Sequence, residues 1–443
     1  GVRVTFGRFC VRVSKRGEII GAVDFGSRDV RVLIARRDSD GSLHVLGHGT
    51  APGKGCVSHG VIQDLNAARI ALKQALGHAE KEARVKASSL FCGVNGRNVE
   101  TFIREGNVKL EKEVVEFRHM EEALDIASRD ILAPGRHVVS SMTAQEWYVD
   151  ELRVIDPIGI RGGVLKARVH FARMPAAIEE NLATCIESLN RDLEDVIFLP
   201  LASALGCLTM EDMELGVGVM DLGRSTTGLA VYRDYRILGA SCFEWGGYHI
   251  TRDVAAGLQV SFEEAQELIL EYGVSDALVH RYSDEEEAGD GGRGRLSLEE
   301  RGTQLKLKSA VRGAPSIVDR NDLDMIIFER CKELMTKVRQ HLQARGLMKH
   351  LVRGIVLTGG AGAIRNQAAL AEAVFQVPAR IGLPEGISGL PGPVNAPEFV
   401  AVVGVLRHGA AFRAAARNGR LQGRGPLAAL WRRLKAAAGR YFI

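Results

Sequence analysis

The chain is 443 residues long, 46% hydrophobic and 25% charged, with a formal net charge of +4. That is enough for two or three domains with buried cores, and it excludes a disordered or collagen-like protein. No apolar run approaches the roughly 18 residues of a membrane-spanning helix. Residues 1–16 scatter Arg3, Arg8, Arg12, Lys15 and Arg16 where a secretory signal would need an apolar stretch. The seven cysteines form no C-x-x-C pair, which argues against a zinc ribbon or disulfide scaffold and for a reducing cytosol. Beyond Glu398 stand nine bases and no acid (Arg407, Arg413, Arg417, Arg420, Arg424, Arg432, Arg433, Lys435, Arg440), and +4 less these nine leaves the body at −5. The expectation is a mildly acidic globule with a basic arm, without a nucleic-acid-binding signature.

Residues 1–16 read as an N-terminal extension. Glu18–Phe25, a turn at Gly26–Asp29 and Val30–Ala35 then predict strand, tight turn, strand. The pattern returns 197 residues later as Val217–Leu222, a turn at Gly223–Thr226 and Thr227–Tyr232. Aligned, VDFGSRDVRVLIAR and MDLGRSTTGLAVYR set Asp24 opposite Asp221 and Gly26 opposite Gly223. A repeat at that distance predicts two related halves. Between them, β-like segments at Val138–Ser141, Trp147–Val149 and Val164–His170, with a helical stretch near His119–Arg129, predict an inserted α+β module. A helix from Ala176 to Leu189, a short strand at Val196–Phe198 and a helix at Ser203–Cys207 lead into the second half. There, Ser261–Tyr272 and Asn321–Arg345 have helical apolar spacing. They flank Asp284–Gly294, whose acids and glycines predict a solvated loop. Gly354–Thr358 is a buried-type strand ending in Gly359-Gly360.

These readings divide the chain into the extension (1–16), a first half (17–98 and 178–213) interrupted by the insert (99–177), and a second half (214–260 and 346–406) bearing a smaller subdomain (261–345). A flexible linker (407–425) and a terminal element (426–443) follow. In that element Gly425-Pro426 is a helix start signal. Leu427, Leu430, Trp431, Leu434, Ala438 and Tyr441 then recur on one helical face, with Arg432, Arg433, Lys435 and Arg440 off or beside it. Such a helix lies in the headgroup plane of a membrane rich in anionic lipids.

A strand that ends in Asp-x-Gly and turns straight back has a mechanical use. Glycine lets backbone N–H groups approach a phosphate, and the carboxylate can hold magnesium through water. Two such hairpins in register, followed by Thr358-Gly359-Gly360 after a strand, match the two phosphate clamps and the adenosine contact of the actin-like nucleotide fold. No competing arrangement is present: the twelve histidines are scattered, and the glycine-rich segments fit neither a P-loop nor a Rossmann fingerprint. No catalytic residue is assigned.

With these motifs in place, the chain resembles the FtsA family of bacterial cell-division proteins over roughly residues 17–406. The resemblance is carried by KGCVSHGVIQDL (54–65), VIDPIGIRGGVLKARVH (154–170), PLASALGCLTMEDMELGVGVMDLG (200–223), WGGYHITRDVAAGL (245–258), GIVLTGG (354–360), RIGLPEGISGL (380–390) and PEFVAVVGVL (397–406). The resemblance implies an α/β, actin-like (RNase H-like) two-lobed fold with an inserted SHS2-like subdomain. It also implies a peripheral protein of the cytoplasmic face of the inner membrane at the division site, with FtsZ, anionic lipids, other division proteins and copies of itself as partners. For ATP and magnesium it implies contacts at Asp24, Gly26, Ser27, Asp221, Gly223, Ser225, Thr226, Thr227, Gly247, Gln266, Gly359 and Gly360, with Asp24 and Asp221 on the metal side. The tail implies membrane contacts at Leu427, Leu430, Trp431, Leu434, Arg432, Arg433 and Lys435. The segment SIVDRNDLDMIIFER (316–330) matches the family's docking segment for the FtsZ tail, with Arg320 and Arg330 in place.

The departures concern the nucleotide. Asp29 stands where the family carries Lys or Thr, Arg224 and Ser225 replace two glycines, and Gly228 replaces an aspartate. Gln266 and Ile269 replace a Glu and a Lys near the adenosine. These changes leave two readings open, a working ATP site and a relic, with hydrolysis expected at or near background. Two other functions share the superfold: a PilM-like pilus-assembly binding module, and an ATP-dependent kinase or chaperone.

Overall fold

The computed structural model describes residues 17–53, 55–111, 114–129, 137–288, 304–308 and 317–417. The predicted extension 1–16 and the terminal element 426–443 lie outside the described residues.

Two five-stranded sheets have the same topology. In the first, Glu18–Phe25 pairs antiparallel with Asp29–Arg37, which pairs with Leu43–Pro52; on its other side it runs parallel to Ser89–Val94 and then Asp192–Phe198. In the second, Val217–Leu222 pairs antiparallel with Thr227–Arg233, which pairs with Arg236–Phe243; on its other side lie Ile355–Thr358 and Ala379–Ile381, both parallel. The repeated hairpins are therefore the corresponding corners of two equivalent sheets. Helices cover these sheets closely. Leu65–Ala83 starts at Asp64, whose carboxylate accepts the Ala67 N–H at 3.0 Å. Its Ala75 and Ala79 face Gly47 and Gly49, and a Cβ at Gly49 would come within 1.9 Å of the Ala75 carbonyl oxygen.

The insert forms its own layer. Glu100–Lys109, Val164–Pro175, His137–Val149 and Leu152–Val154 pair in that order, and Phe117–Ser128 packs across them over a small core containing Leu124, Trp147 and Phe171. The two strands expected at Val138–Ser141 and Trp147–Val149 are one, kinked by register shifts. The buried Glu146 carboxylate accepts hydrogen bonds from Arg168 and, across the domain boundary, from Arg236 of the second sheet at 2.9 Å. The Ile237 N–H donating to Gln145 and the Thr101 hydroxyl donating to the Ala240 carbonyl complete this seam.

Two expectations are corrected. Of the stretch Asp284–Gly294 expected as a loop, residues 284–288 end the helix Asp276–Ala288, which buries Leu278 and Val279, and residues 289–294 lie outside the described residues. Nor does a linker begin at 407. Val400–Arg417 is one helix, packed so tightly on Leu199–Cys207 that a Cβ at Gly404 would lie 1.7 Å from the Ala202 carbonyl oxygen. Its small residues serve close approach rather than flexibility. Two bases counted as part of the arm belong to the body. Arg407 donates to the Leu205 carbonyl, and Arg413 donates to Glu194 (2.6 Å), Ser89 and the Ile19 carbonyl. His408 is hydrogen-bonded to buried Asp195 at 2.9 Å. None of the helices among the described residues is long and apolar enough to cross a membrane.

Arg413→Ala leaves Glu194 without its bidentate partner inside the first lobe. It is expected to lower stability by about 2–3 kcal/mol in urea unfolding, whereas a change below about 0.5 kcal/mol would mean that the helix end is held by apolar packing alone.

Candidate nucleotide cleft

Both hairpin turns are closed by their own backbone. The Gly26 N–H donates to the Asp29 carbonyl at 3.1 Å, and the Gly223 N–H to the Thr226 carbonyl at 2.9 Å. The turns meet face to face: the hydroxyls of Ser27 and Ser225 share a 2.5 Å hydrogen bond, and Asn95 donates to the Thr226 hydroxyl at 3.2 Å. The helix Gly247–Leu258 gives its first amides to the second turn, Gly247 N–H to Gly223 and Tyr248 N–H to Arg224. The third element, Thr358-Gly359-Gly360, lies beside Asp221. Gly359 has φ +78° and a Cβ there would lie 2.4 Å from the Asp221 carboxylate, so only glycine fits.

These elements enclose a cleft of about 510 Å³, within the usual size of a small-molecule site. Asp24, Gly26, Ser27, Asp221, Gly223, Thr226, Gly247, Gln266, Gly359 and Gly360 all line it. Ser225 and Thr227 do not. Ser225 is spent on the turn-to-turn bond and also accepts the His59 N–H, while fully buried Thr227 donates to the Trp245 carbonyl at 2.7 Å. Ile269 lines the cleft wall, and Gly228 packs against Pro200.

Residues beyond the family motifs also line it. Tyr248 and Phe262 stack with centroids 5.7 Å apart, and the Arg224 guanidinium stands 5.8 Å above Tyr248. Arg31 is the largest omission. Hairpin pairing places it directly opposite Asp24, so counting back from the Gly26 turn was enough to find it. Its guanidinium is 3.3 Å from Asp29 and 4.0 Å from Asp24. Arg28 approaches Asp29 at 3.5 Å. Two arginines therefore bracket the Asp29 carboxylate, which stands where the family carries Lys or Thr.

Burial dominates the charge state of the two aspartates. Desolvation raises the Asp24 carboxyl to about 6 against the pull of Arg31, with the Asp221 charge pushing the same way as burial. Asp221 is raised by burial too, opposed by the hydroxyls of Ser203 and Thr358 and by Arg31. Ser203 donates to Asp221 at 2.6 Å, and one oxygen of Asp24 is buried without a hydrogen-bond partner. Magnesium shared between Asp24 and Asp221 does not fit this arrangement. One oxygen of Asp221 is taken by the Ser203 hydroxyl, and Asp24 already faces a fixed cation. Among the described residues no group of three or more His, Cys, Asp or Glu side chains could hold a metal ion.

The second expected site lies on the helix Arg320–Ala344. Arg320 pairs with Asp324 at 2.9 Å and lies 4.0 Å over the Tyr272 ring. Arg330 pairs with Asp253 and Glu333, in a shallow groove completed by Ile326 and Glu329. Ten residues of helix hold the two arginines about 15 Å apart, each on its own carboxylate partner. Asp319 is not a free acid either, since it caps the helix through the Asn321 N–H. The membrane residues Leu427, Leu430, Trp431, Arg432, Arg433, Leu434 and Lys435 lie outside the described residues.

Comparisons with known proteins agree with this architecture. A family profile described as cell division protein FtsA matches residues 218–404, and one described as the SHS2 domain inserted in FTSA matches residues 96–172. Cell division protein FtsA of Pseudomonas aeruginosa is 28% identical over 394 residues, 89% of this chain and 89% of that protein. The Neisseria meningitidis protein is 29% identical over 390 residues, 87% of this chain and 89% of its own length. Among solved structures, the PilM–PilN type IV pilus biogenesis complex aligns with a TM-score of 0.59 at 14% identity, over 88% of this chain and 98% of that one. MreB5 of Spiroplasma citri bound to AMPPNP aligns at 0.51 and 14%, over 91% and 99%. The fold is thus that of the actin-like proteins, with an SHS2 domain inserted in the first half. Over nearly its whole length the chain is similar to the FtsA cell-division proteins.

The raised pKa of Asp24 makes a prediction with a definite sign. The folded state disfavours the ionised form, so the cost is absent below the ordinary value of 3.8 and complete above about 6. Asp24→Asn is expected to stabilise the protein at pH 7.5 by about 1–3 kcal/mol, an advantage that fades between pH 6 and pH 4 in thermal melts. A loss of stability at pH 7.5 would show that the Arg31 pairing outweighs the burial of the charge.

Proposed function

We propose that this protein is a peripheral adaptor that anchors FtsZ filaments at the cytoplasmic face of the bacterial inner membrane, associates with copies of itself and gathers other division proteins there. The observation that carries this reading is the near full-length correspondence with FtsA relatives, insert included. The likeness to PilM–PilN, at 14% identity, carries the fold alone. The cleft is read as a nucleotide site with at most weak ATPase activity, since Gly228 stands where the family motif carries an aspartate.

Membrane attachment is assigned to residues 426–443 on their sequence pattern. Burial of Trp431 and its neighbouring leucines contributes roughly 1.5–3 kcal/mol per side chain, and each base near an anionic surface about 1 kcal/mol. FtsZ is assigned to the face of the smaller subdomain carrying Arg320 and Arg330. Its tail, an acidic and apolar peptide by family resemblance, has to draw these guanidinium groups from their present partners. That exchange favours modest affinity and sensitivity to salt.

Sedimentation with anionic liposomes tests the first assignment. Full-length protein is expected to pellet and a chain ending at Arg417 to stay in solution; equal pelleting rejects it. The cut belongs after Arg417, because ending at Leu406 removes the contacts of His408 and Arg413. For FtsZ, the paired change Arg320→Glu with Asp324→Asn avoids stranding a buried carboxylate. It is expected to weaken binding of the FtsZ tail peptide more than tenfold, about 1.4 kcal/mol, relative to Asp324→Asn alone, and to leave liposome binding unchanged. Unaltered peptide affinity moves the docking site elsewhere.

A further inference from the structure

The two hairpins repeat each other, yet at one buried position they differ by a full charge. Asp221 faces Gly228 across its hairpin, whereas Asp24 faces Arg31. The Arg31 side chain is only 12% exposed. It is held between Asp24 and Asp29 and lies 5.6 Å from the centre of the Phe399 ring. Its charge also acts on Asp221. A guanidinium thus stands on the cleft floor where two carboxylates would otherwise attract a divalent ion.

We propose that Arg31 is the resident cation of this cleft, and that the cleft takes a polyphosphate nucleotide without magnesium. The proposal rests on the reading of the cleft as a nucleotide site. Magnesium keeps several waters and needs carboxylate oxygens open to them. Here one oxygen of Asp221 takes the Ser203 hydroxyl at 2.6 Å, and Asp24 has a fixed positive charge beside it. An ion entering beside Asp24 meets the Arg31 guanidinium, 4.0 Å from that carboxylate, and like charges at such range repel. The phosphate side is supplied differently. Arg28, Arg31 and Arg224 all line the cleft, and each presents a planar fork suited to phosphate oxygens. Arg28 is half exposed and Arg224 rests on Tyr248, so both have room to turn towards a ligand. Arg31 has none, and it acts as the fixed charge around which the others close.

The test is a fluorescence titration of the full chain with N-methylanthraniloyl-ATP, in EDTA and in excess magnesium. The expected dissociation constants agree within threefold. Arg31→Ala is expected to weaken binding more than tenfold in EDTA and to recover part of that loss when magnesium is added, because it frees Asp24 for the metal. Tightening of the unaltered protein by more than threefold in magnesium overturns the proposal while leaving the nucleotide reading intact. No binding in either condition overturns both. A second measurement is independent of any variant: electron paramagnetic resonance of manganese with the protein and ATP. No stoichiometric protein-dependent bound-manganese signal is expected beyond that of manganese–ATP in buffer, and its appearance contradicts the assignment.

Discussion

Two carboxylates of like charge, Asp24 and Asp221, lie near the ends of the central strands of equivalent sheets and line a common cleft. Burying both is costly unless each is answered, and the surroundings are organised as that answer. The Ser203 hydroxyl donates to Asp221, and the Arg31 guanidinium stands beside Asp24. The glycines at 26, 223 and 359 let the backbone turn within contact distance of these groups, where any side chain would collide with backbone or carboxylate.

The same constraint ties the cleft to the end of the chain. Glu398 and Ala401, at the start of the last helix, line the cleft, and Phe399 lies beneath Arg31. The Gly359 N–H donates to the Pro397 carbonyl. From there Val400–Arg417 crosses the first lobe and is fastened near its end by Arg413 to Glu194 and to the first strand. One helical element therefore spans from the cleft floor to the point where the chain continues into its basic terminal segment. A ligand that moved Arg31 or Phe399 would load this helix directly.

Much of this was legible in the residues. The two hairpins, their register and the glycine pair after Thr358 followed from turn chemistry and apolar runs, and the insert was visible as a change of pattern between related halves. The misreadings have physical causes. Residues 407–417 are mostly Ala, Arg and Gly, a composition that suits a linker, but here it reflects close helix packing and two side chains, His408 and Arg413, whose acidic partners lie some 200 positions away in the chain. The helix Asp276–Ala288 was hidden by its run of acids, because its anchoring pair, Leu278 and Val279, occupies only one turn. Arg31 was passed over because family motifs draw attention to the turn, whereas its role arises from strand pairing two positions beyond. Asp324 and Glu333 lie one helical turn from Arg320 and Arg330 and are visible in the sequence, whereas Asp253, the other partner of Arg330, is contributed by a different helix.

The central claim is that one molecule joins FtsZ polymer to a membrane, and reconstitution tests it most directly. Fluorescent FtsZ with GTP is placed over a supported bilayer containing anionic lipid and imaged at the surface. Filaments are expected on the bilayer only when the full-length protein is present, and not with the chain ending at Arg417. Filaments recruited equally by both chains, or by neither, would contradict the account.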